Sequence, residues 1–479
     1  MTSKWTLVTV VLGAFAAAPA PPAAVLNVAS LEELQGAIDK ASPGDRVVLA
    51  DGKYAATGPI KVARAGTAEQ PIVIESKTVG GAEIGGAAGF RLDPPASYVV
   101  VRGFVFTHNA GSMRLEAGVH HCRVTRNLFA LKVAGRATFL DVLGDDNEID
   151  HNTFRDKDTE GQMLFVQGPT GDKVAKRTWV HHNYFLDFLN SHKNNASALH
   201  IGSSGRSMDS AFSVVEHNLF VRTVGENEGA ICNKSCDNIY RYNTIVDSTE
   251  LSLRHGHRVR AYGNFIFNSE GIRFFAHDHE IYSNYFENCR PAIAIGNGDG
   301  LIPPAKLTAH QRPERVRVVY NTLVDNRANI QMSGRRNGLG AVDITIADNV
   351  IVGGPKVLSI DGPFERPSWE GNVLWQTEPG DLPKEAFTRL DPSLTKDDRG
   401  VHRPSKDSPL IGKGVGSYGF VQVDIDGQPR GKRPDVGADQ MSDAPSINHP
   451  LTPADVGPGA PDEPERPLLT SPKAEWIKR

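Results

Sequence analysis

Short runs of mixed apolar and polar residues recur along most of the chain, each broken after a few positions by Asn, Asp, Gly or Ser. Val214-Val-Glu-His-Asn-Leu-Phe-Val221 and Arg317-Val-Val-Tyr-Asn-Thr-Leu-Val324 are two of them. Runs of this length between turn formers predict short β-strands. They share one phrase, Asn two positions ahead of an apolar residue. It begins at Asn127, Asn152, Asn183, Asn218, Asn243, Asn264, Asn284, Asn321, Asn349 and Asn372, at successive intervals of 25, 31, 35, 25, 21, 20, 37, 28 and 23 residues. A period of twenty-odd residues, stretched by insertions in some repeats, marks a solenoid. Asn tolerates left-handed backbone and can bond through its amide to the same position in the next coil. The pattern therefore predicts an all-β chain, a single-stranded right-handed parallel β-helix with Asn in a turn of each coil.

A solenoid must cover its ends, which otherwise expose core and strand edges. Ser30-Leu-Glu-Glu33 reads as a capping box opening an amphipathic helix through Lys40, with Leu31, Leu34 and Ile38 on one face. That helix is expected to plug the N-terminal end. Further upstream, Lys4, the apolar stretch from Leu7 to Ala18 and small residues near Ala23-Ala24 read as an export signal over residues 1–24. The expected organisation is then a β-helix over 25–441 and a Pro-rich tail over 442–479, in a secreted or periplasmic protein. No stretch approaches the ~20 apolar residues of a membrane span. Asp424-Ile-Asp426-Gly427 resembles the start of a calcium loop but lacks its later ligands, and reads as a structural turn.

Composition narrows the partners. With 52 Lys and Arg against 56 Asp and Glu the net charge is -4, so no global basic field speaks for nucleic acid. Any polyanion must meet a local basic patch. The four cysteines, Cys122, Cys232, Cys236 and Cys289, read as small buried residues of stacked coils, with pairing in an oxidising compartment as the alternative.

One such patch is visible. Lys234 stands 9 residues before Asn243, Arg254 stands 10 before Asn264, and Arg273 stands 11 before Asn284, in the shortest coils. Similar offsets in stacked coils predict a ladder of three cations on one sheet. Like charges side by side on a sheet repel, so an anionic ligand would explain the arrangement better than a solvated basic stripe. His200, His255 and His257 add polarity to the same region.

The run from Glu226 to Thr244, with Asn233-Lys234-Ser235 at its centre, and the following Leu251-Ser-Leu-Arg254-His255-Gly256 resemble polysaccharide lyase family 6. That family includes alginate lyases and the dermatan-cleaving chondroitinase B. Pro43-Gly-Asp45, Leu49-Ala-Asp-Gly-Lys-Tyr54 and the Asp424 to Gln440 region are similar to it as well, so the resemblance covers most of residues 30–440. It implies β-elimination on a uronic-acid polymer, with the catalytic Lys at Lys234 and the catalytic Arg at Arg254. His200, His255 and Arg273 are the expected substrate-binding residues.

The chemistry agrees with that assignment. Removing the C5 proton builds negative charge on the adjacent carboxylate, which cations or a metal must neutralise. A lysine base must be neutral, and a free lysine, at about 10.4, is not; nearby cations push it in the needed direction. Arginine keeps its proton. Arg254 therefore reads as orienter and charge stabiliser, with water or a nearby Tyr or His delivering the final proton.

The resemblance also implies a calcium ion held by Asn194, Glu226 and Glu228. The sequence departs from the family here: Ser197 and His200 stand where the family has Glu and Arg, and the Glu pair lies one residue farther from Lys234. A one-residue shift turns a strand side chain to the opposite face, unless a bulge at Gly229 restores it. The expected partner is an acidic polysaccharide, alginate ahead of dermatan sulfate, acted on by a monomer. A pectinase-like hydrolase would need clustered Asp residues, the nearest being Asp141, Asp145 and Asp146. A non-catalytic glycan-binding β-helix is the third reading. Segments 155–180, 186–212 and 296–316 are expected to be loops that wall the groove.

Overall fold

The computed structural model describes residues 23–109, 111–190, 196–225, 229–301 and 307–462. The chain winds as a right-handed parallel β-helix whose coils deposit their strands on three long parallel sheets of 14, 13 and 14 strands among the described residues. One coil runs Val214–Glu216, Leu219–Gly225 and Ile231–Lys234, and the next runs Ile239–Arg241, Thr244–Val246 and Leu251–His255. Each strand pairs with its counterpart one coil on, as Val214 does with Ile239 and Leu219 with Thr244. A strand of three or four residues buries too little to be stable alone, and the stack supplies the missing neighbours.

The Asn phrase is the seam of this stack. Asn127, Asn152, Asn183, Asn218, Asn243, Asn264, Asn284, Asn321, Asn349 and Asn372 are all fully buried. The Asn218 amide donates to Asn243 Oδ1 at 3.0 Å, Asn243 to Asn264 Oδ1 at 3.1 Å and Asn264 to Asn284 Oδ1 at 2.9 Å. The same oxygens accept the backbone N–H of the preceding Asn, at 3.1 Å for Asn243 onto Asn264. Two positions on, the apolar residues stack: Phe129, Phe154, Phe185 and Phe220 lie ring on ring at 4.7, 5.0 and 4.6 Å. Sequence reasoning misplaced one feature. The left-handed residue of each turn is the one before the Asn, among them His151 (φ 50°), His182 (φ 51°), His217 (φ 52°) and Tyr242 (φ 56°), and not the Asn itself. The Asn is needed for its amide, which closes a buried hydrogen-bond ladder, and the backbone bend falls one residue earlier.

A second column of left-handed turn residues precedes the strands of another sheet, and it alternates in charge. Arg177 pairs with Asp146 at 2.5 Å, Arg258 with Asp237 at 2.7 Å, Arg315 with Asp278 at 2.7 Å and Arg366 with Asp343 at 2.8 Å, each across one coil step.

The helix Leu31–Lys40 covers the N-terminal end as expected. Ser30 Oγ accepts the Glu33 N–H at 3.1 Å, the Glu33 carboxylate reaches back to the Ala29 N–H at 2.8 Å, and Leu34 and Ile38 are buried. The Asp424 turn is structural: its Oδ1 accepts the N–H groups of Asp426 and Gln428 at 3.0 and 2.7 Å. Beyond it the chain folds back as a strap along the outside of the coils. The Ala438 N–H bonds Thr322 Oγ1, the Leu451 N–H bonds Thr244 Oγ1, the Gly457 N–H bonds the His182 carbonyl, and Arg126 holds the carbonyls of Pro458 and Ala460. The four cysteines are buried free thiols. The segments expected as loops over 155–180 and 186–212 are partly strand: Gly161–Val166 lies in the first, and Tyr184–Asn190 and Ala196–Gly202, strands of seven residues each, run through much of the second. The export signal lies almost wholly outside the described residues, and among the described residues no helix is long and apolar enough to cross a membrane.

Candidate active site

The strands that carry the predicted chemistry are consecutive rungs of the 13-stranded sheet: Ala196–Gly202, Ile231–Lys234, Leu251–His255 and Ile272–Phe274. Their register fixes who stands beside whom. His200 pairs with Cys232, Cys232 with Ser252 and Ser252 with Arg273; two positions on, Gly202 pairs with Lys234. Here the ladder slips, so that Lys234 pairs with His255 and Arg254 becomes the extra residue of a bulge. A bulge re-aims the side chain it carries, and this one brings Arg254 and His255 together onto the rung next to Lys234.

Arg273, 11 residues ahead of its Asn, matches Cys232 and not Lys234 in offset. It shares the sheet and, by period-two alternation, the face, but it stands beside Ser252, one pleat or about 7 Å before the Lys234 row. The three cations form a bent group across two rows and not a vertical file, because Arg273 is offset by two residues from Lys234 while the bulge sets Arg254 beside Lys234.

The bend is held from inside. Asn233, adjacent to Lys234 and fully buried, accepts the Tyr240 hydroxyl at 2.9 Å and the Asn238 amide at 2.7 Å, and donates to the carbonyls of Ser235 at 2.9 Å and His255 at 2.8 Å. One side chain thus ties the end of the Lys234 strand to the bulge. Gly256 completes the Arg-His-Gly phrase: at φ +89° it passes so close to the Ser235 carbonyl that a Cβ would stand 2.1 Å from its oxygen.

Around Lys234 the imidazoles are kept neutral. His200 is almost fully buried, with Nδ1 3.2 Å from Ser197 Oγ and its ring 5.0 Å from that of Phe165. Burial first, then the charges of Lys234, Arg254, His255 and Arg136, hold its pKa well below the ordinary histidine value. His255 is pushed down to about 3 by burial, His310, Lys234 and Arg254, and His257 to about 3 by burial and two further histidines. These effects locate the cations: Lys234 and Arg254 both act on His200 and on His255.

His310 was not foreseen. It sits in the inserted segment after the strand Ile293–Ile295, and its ring lies 5.5 Å from His255 and 4.7 Å from Phe275. Asp299 anchors it, accepting the His310 N–H at 2.9 Å and pairing with Arg335. Burial and the nearby Arg254 and Arg335 lower its pKa to about 4. An insertion has no offset in the repeat, so only the expectation that segment 296–316 walls the groove pointed toward it.

The proposed calcium ligands Asn194, Glu226 and Glu228 lie outside the described residues. Of that region the structure shows Ser197 and His200 facing each other, in place of a carboxylate and a guanidinium. Among the described residues, Glu148, Asp150 and His181 on another sheet approach to metal-binding distance. Arg123 bridges both carboxylates at 3.1 and 2.6 Å, so the cluster is an ion-pair network. The Asp residues of a hydrolase reading disperse: Asp141 faces Arg114 at 3.5 Å, Asp145 accepts the Lys176 N–H, and Asp146 belongs to the charged turn column.

Comparison with known proteins agrees with the β-helix fold. The family model of chondroitinase B matches residues 28–358. The PL6 family alginate lyase AlyGC superposes with a TM-score of 0.71 at 23% identity, over 89% of this chain and 59% of its own. A mannuronic acid specific family 6 lyase from human gut microbiota gives 0.67 at 24% identity, over 77% and 91%. The PL6 polysaccharide lyase Pedsa3628 from Pseudopedobacter saltans gives 0.64 at 19%, over 77% and 98%. The chain spans less than two thirds of the length of AlyGC. No curated protein sequence matches it significantly. The family match covers well over half of the chain and all the rungs that carry Lys234, Arg254 and Arg273, and on that basis the chain belongs to the chondroitinase B family.

Proposed function

We propose that this protein is a polysaccharide lyase that cleaves a uronic-acid polymer, alginate ahead of dermatan sulfate, by β-elimination. One observation carries the reading: the slip in register that sets Arg254 and His255 beside Lys234, in surroundings that keep the histidines uncharged.

Lys234 accepts the C5 proton of the uronate at Nζ. The C5 electron pair forms the C4–C5 double bond, the C4–O4 bond breaks, and O4 leaves with a proton from water or an acidic group in the groove. Arg254 faces the carboxylate on which charge accumulates, and Arg273, one pleat away, binds acidic sugar beside it. Fixed cations in a partly dehydrated groove stabilise that charge far better than water does. His200 and His255, neutral, offer hydrogen bonds without competing as cations. Asn194, Glu226 and Glu228 have the oxygen donors calcium prefers; calcium held there would supply further neutralising charge to the substrate carboxylate.

Alginate is supported by the activities named for the structural relatives, alginate lyase and mannuronic acid specific lyase. A polymeric substrate outside the cell accords with the export signal read at residues 1–24. The test is one set of incubations with polymannuronate, polyguluronate and dermatan sulfate, with and without a chelator. Elimination creates an unsaturated, absorbing product; hydrolysis yields reducing ends without that absorbance. We expect absorbance to rise with an alginate block, to fall on chelation and return with calcium, and to vanish in Lys234→Ala. Reducing ends without absorbance, or full activity in Lys234→Ala, would overturn the mechanism.

A further inference from the structure

Past Lys234 and Arg254 the sheet opens into a cavity of about 380 Å³, lined by Arg273, Phe275, Arg290 and Arg335 and by two carboxyls, Glu250 and Glu270. Both glutamates stand just ahead of successive rungs, Leu251–His255 and Ile272–Phe274, which brings their side chains together beside Arg273. The Glu250 carboxylate lies 2.6 Å from Arg273 Nη2. The same Nη2 and the neighbouring Nε also donate to Ser252 Oγ, at 3.1 and 3.3 Å. The Arg273 side chain remains 29% exposed, whereas that of Glu250 is only 9% exposed, so the carboxylate is the fixed partner and the guanidinium the one that faces the cavity.

We propose that Glu250, backed by Glu270, is a positioning residue for substrate, holding the Arg273 guanidinium at the cavity wall in the orientation that meets a uronate carboxylate. The inference rests on the lyase reading, which puts acidic sugar against Arg273.

The charges are consistent with this role. Burial opposes ionisation of Glu250, but Arg273 and a hydrogen bond from Glu270 outweigh it and keep its carboxyl below the usual range. Glu270, buried and facing the charge of Glu250, is pushed up to about 8 and keeps the proton it donates. The pair thus carries one negative charge, set against Arg273, Arg290 and Arg335, with Arg254 also acting on Glu250. The cavity stays net cationic and suited to an acidic sugar. A guanidinium carries five N–H donors and can hold more than one oxygen partner, and one already fixed loses less freedom when a further carboxylate binds.

The test is a double-mutant cycle on polymannuronate, read as KM and kcat. Glu250→Gln is close in shape to the native side chain and removes only the charge, so misfolding is not the expected outcome; Glu250→Asp, which restores the charge, is expected to recover part of the loss. Glu250→Gln should raise KM about tenfold and leave kcat within about twofold, the signature of lost ground-state binding. Arg273→Ala should raise KM at least as much, and Glu250→Gln/Arg273→Ala should be no worse than Arg273→Ala alone, because both changes remove the same contact. Wild-type KM should climb as pH passes about 8, where Glu270 ionises and adds a second negative charge, and Glu270→Gln should flatten that climb. If Arg273→Ala raises KM but Glu250→Gln does not, or if the two effects add in full, the positioning role is wrong while the lyase reading stands. If neither variant moves KM on a polymer the wild type cleaves, the placement of acidic sugar on Arg273 is wrong, and the inference falls with it.

Discussion

Two regions of this β-helix stack ionic side chains, and they do it with different balances of charge. In the turn column of Asp146, Arg177, Asp237, Arg258, Asp278, Arg315, Asp343 and Arg366, each arginine has an aspartate one coil away. On the rungs of the 13-stranded sheet, Lys234, Arg254 and Arg273 gather within three coils, with the Glu250 carboxylate against Arg273 and the histidines among them uncharged. The repeat imposes the same geometry on both, with like positions stacked about 4.8 Å apart. Where that geometry serves only the fold, the sequence alternates charge. Where it concentrates positive charge beside a cavity, stability alone is a poor explanation, and a ligand that brings negative charge is a better one.

The sharpest way to break this contrast is to remove the central cation and follow activity and stability together. Lys234→Ala should lower kcat by about 10²- to 10⁴-fold, the contribution of a general base, which corresponds to roughly 3–5 kcal/mol of barrier. Its unfolding free energy should change by less than about 1 kcal/mol, because crowding by like charges is relieved as packing is lost. A large fall in stability with residual activity would mean that Lys234 is a structural residue like those of the turn column.

The Asn seam offers the complementary test, a large effect on stability. Asn264 Oδ1 accepts the backbone N–H and the side-chain amide of Asn243, and its own amide donates to the Tyr240 carbonyl at 3.0 Å. Asn264→Ala strands these groups in a buried seam, at a cost of about 1–3 kcal/mol for each one left unsatisfied. Denaturant unfolding should show a loss of about 2–4 kcal/mol on that basis, with the specific activity of the folded fraction retained. Activity lost at unchanged stability would show that the seam and the site are not separable.

Features that repeat were legible in the sequence, and features that interrupt the repeat were not. The Asn phrase announced the coils, Ser30 and Glu33 announced the end cap, and Lys234 and Arg254 could be placed near each other from their offsets alone. The bend in the cation group was only half legible: the two-residue difference in offset between Lys234 and Arg273 is in the sequence, whereas the extra residue at Arg254 shows only in the register. The left-handed position escaped for a related reason: His, Tyr, Gly, Ser and Asp all occupy it, so composition carried little signal beside the invariant Asn. His310 comes from an insertion, and the contact between Glu250 and Glu270 depends on strand ends, which a periodic pattern defines least well.

The turn column supplies the smallest expected effect and the finest control. Arg258 reaches Asp237 with two bonds, at 2.9 and 2.7 Å, but its side chain is 53% exposed. Exposed ion pairs contribute about 0.2–1 kcal/mol, so Arg258→Ala should lower the unfolding free energy by no more than that and leave KM and kcat on polymannuronate unchanged. The loss should shrink at high salt, where surface charges are screened. Arg258 follows Arg254 by four residues on the same coil, so the substitution probes the very repeat that carries Arg254. If Arg258→Ala disturbs catalysis as strongly as a change at Lys234, the separation between a charge-balanced turn and a charge-bearing groove does not hold, and the whole coil acts as one electrostatic unit.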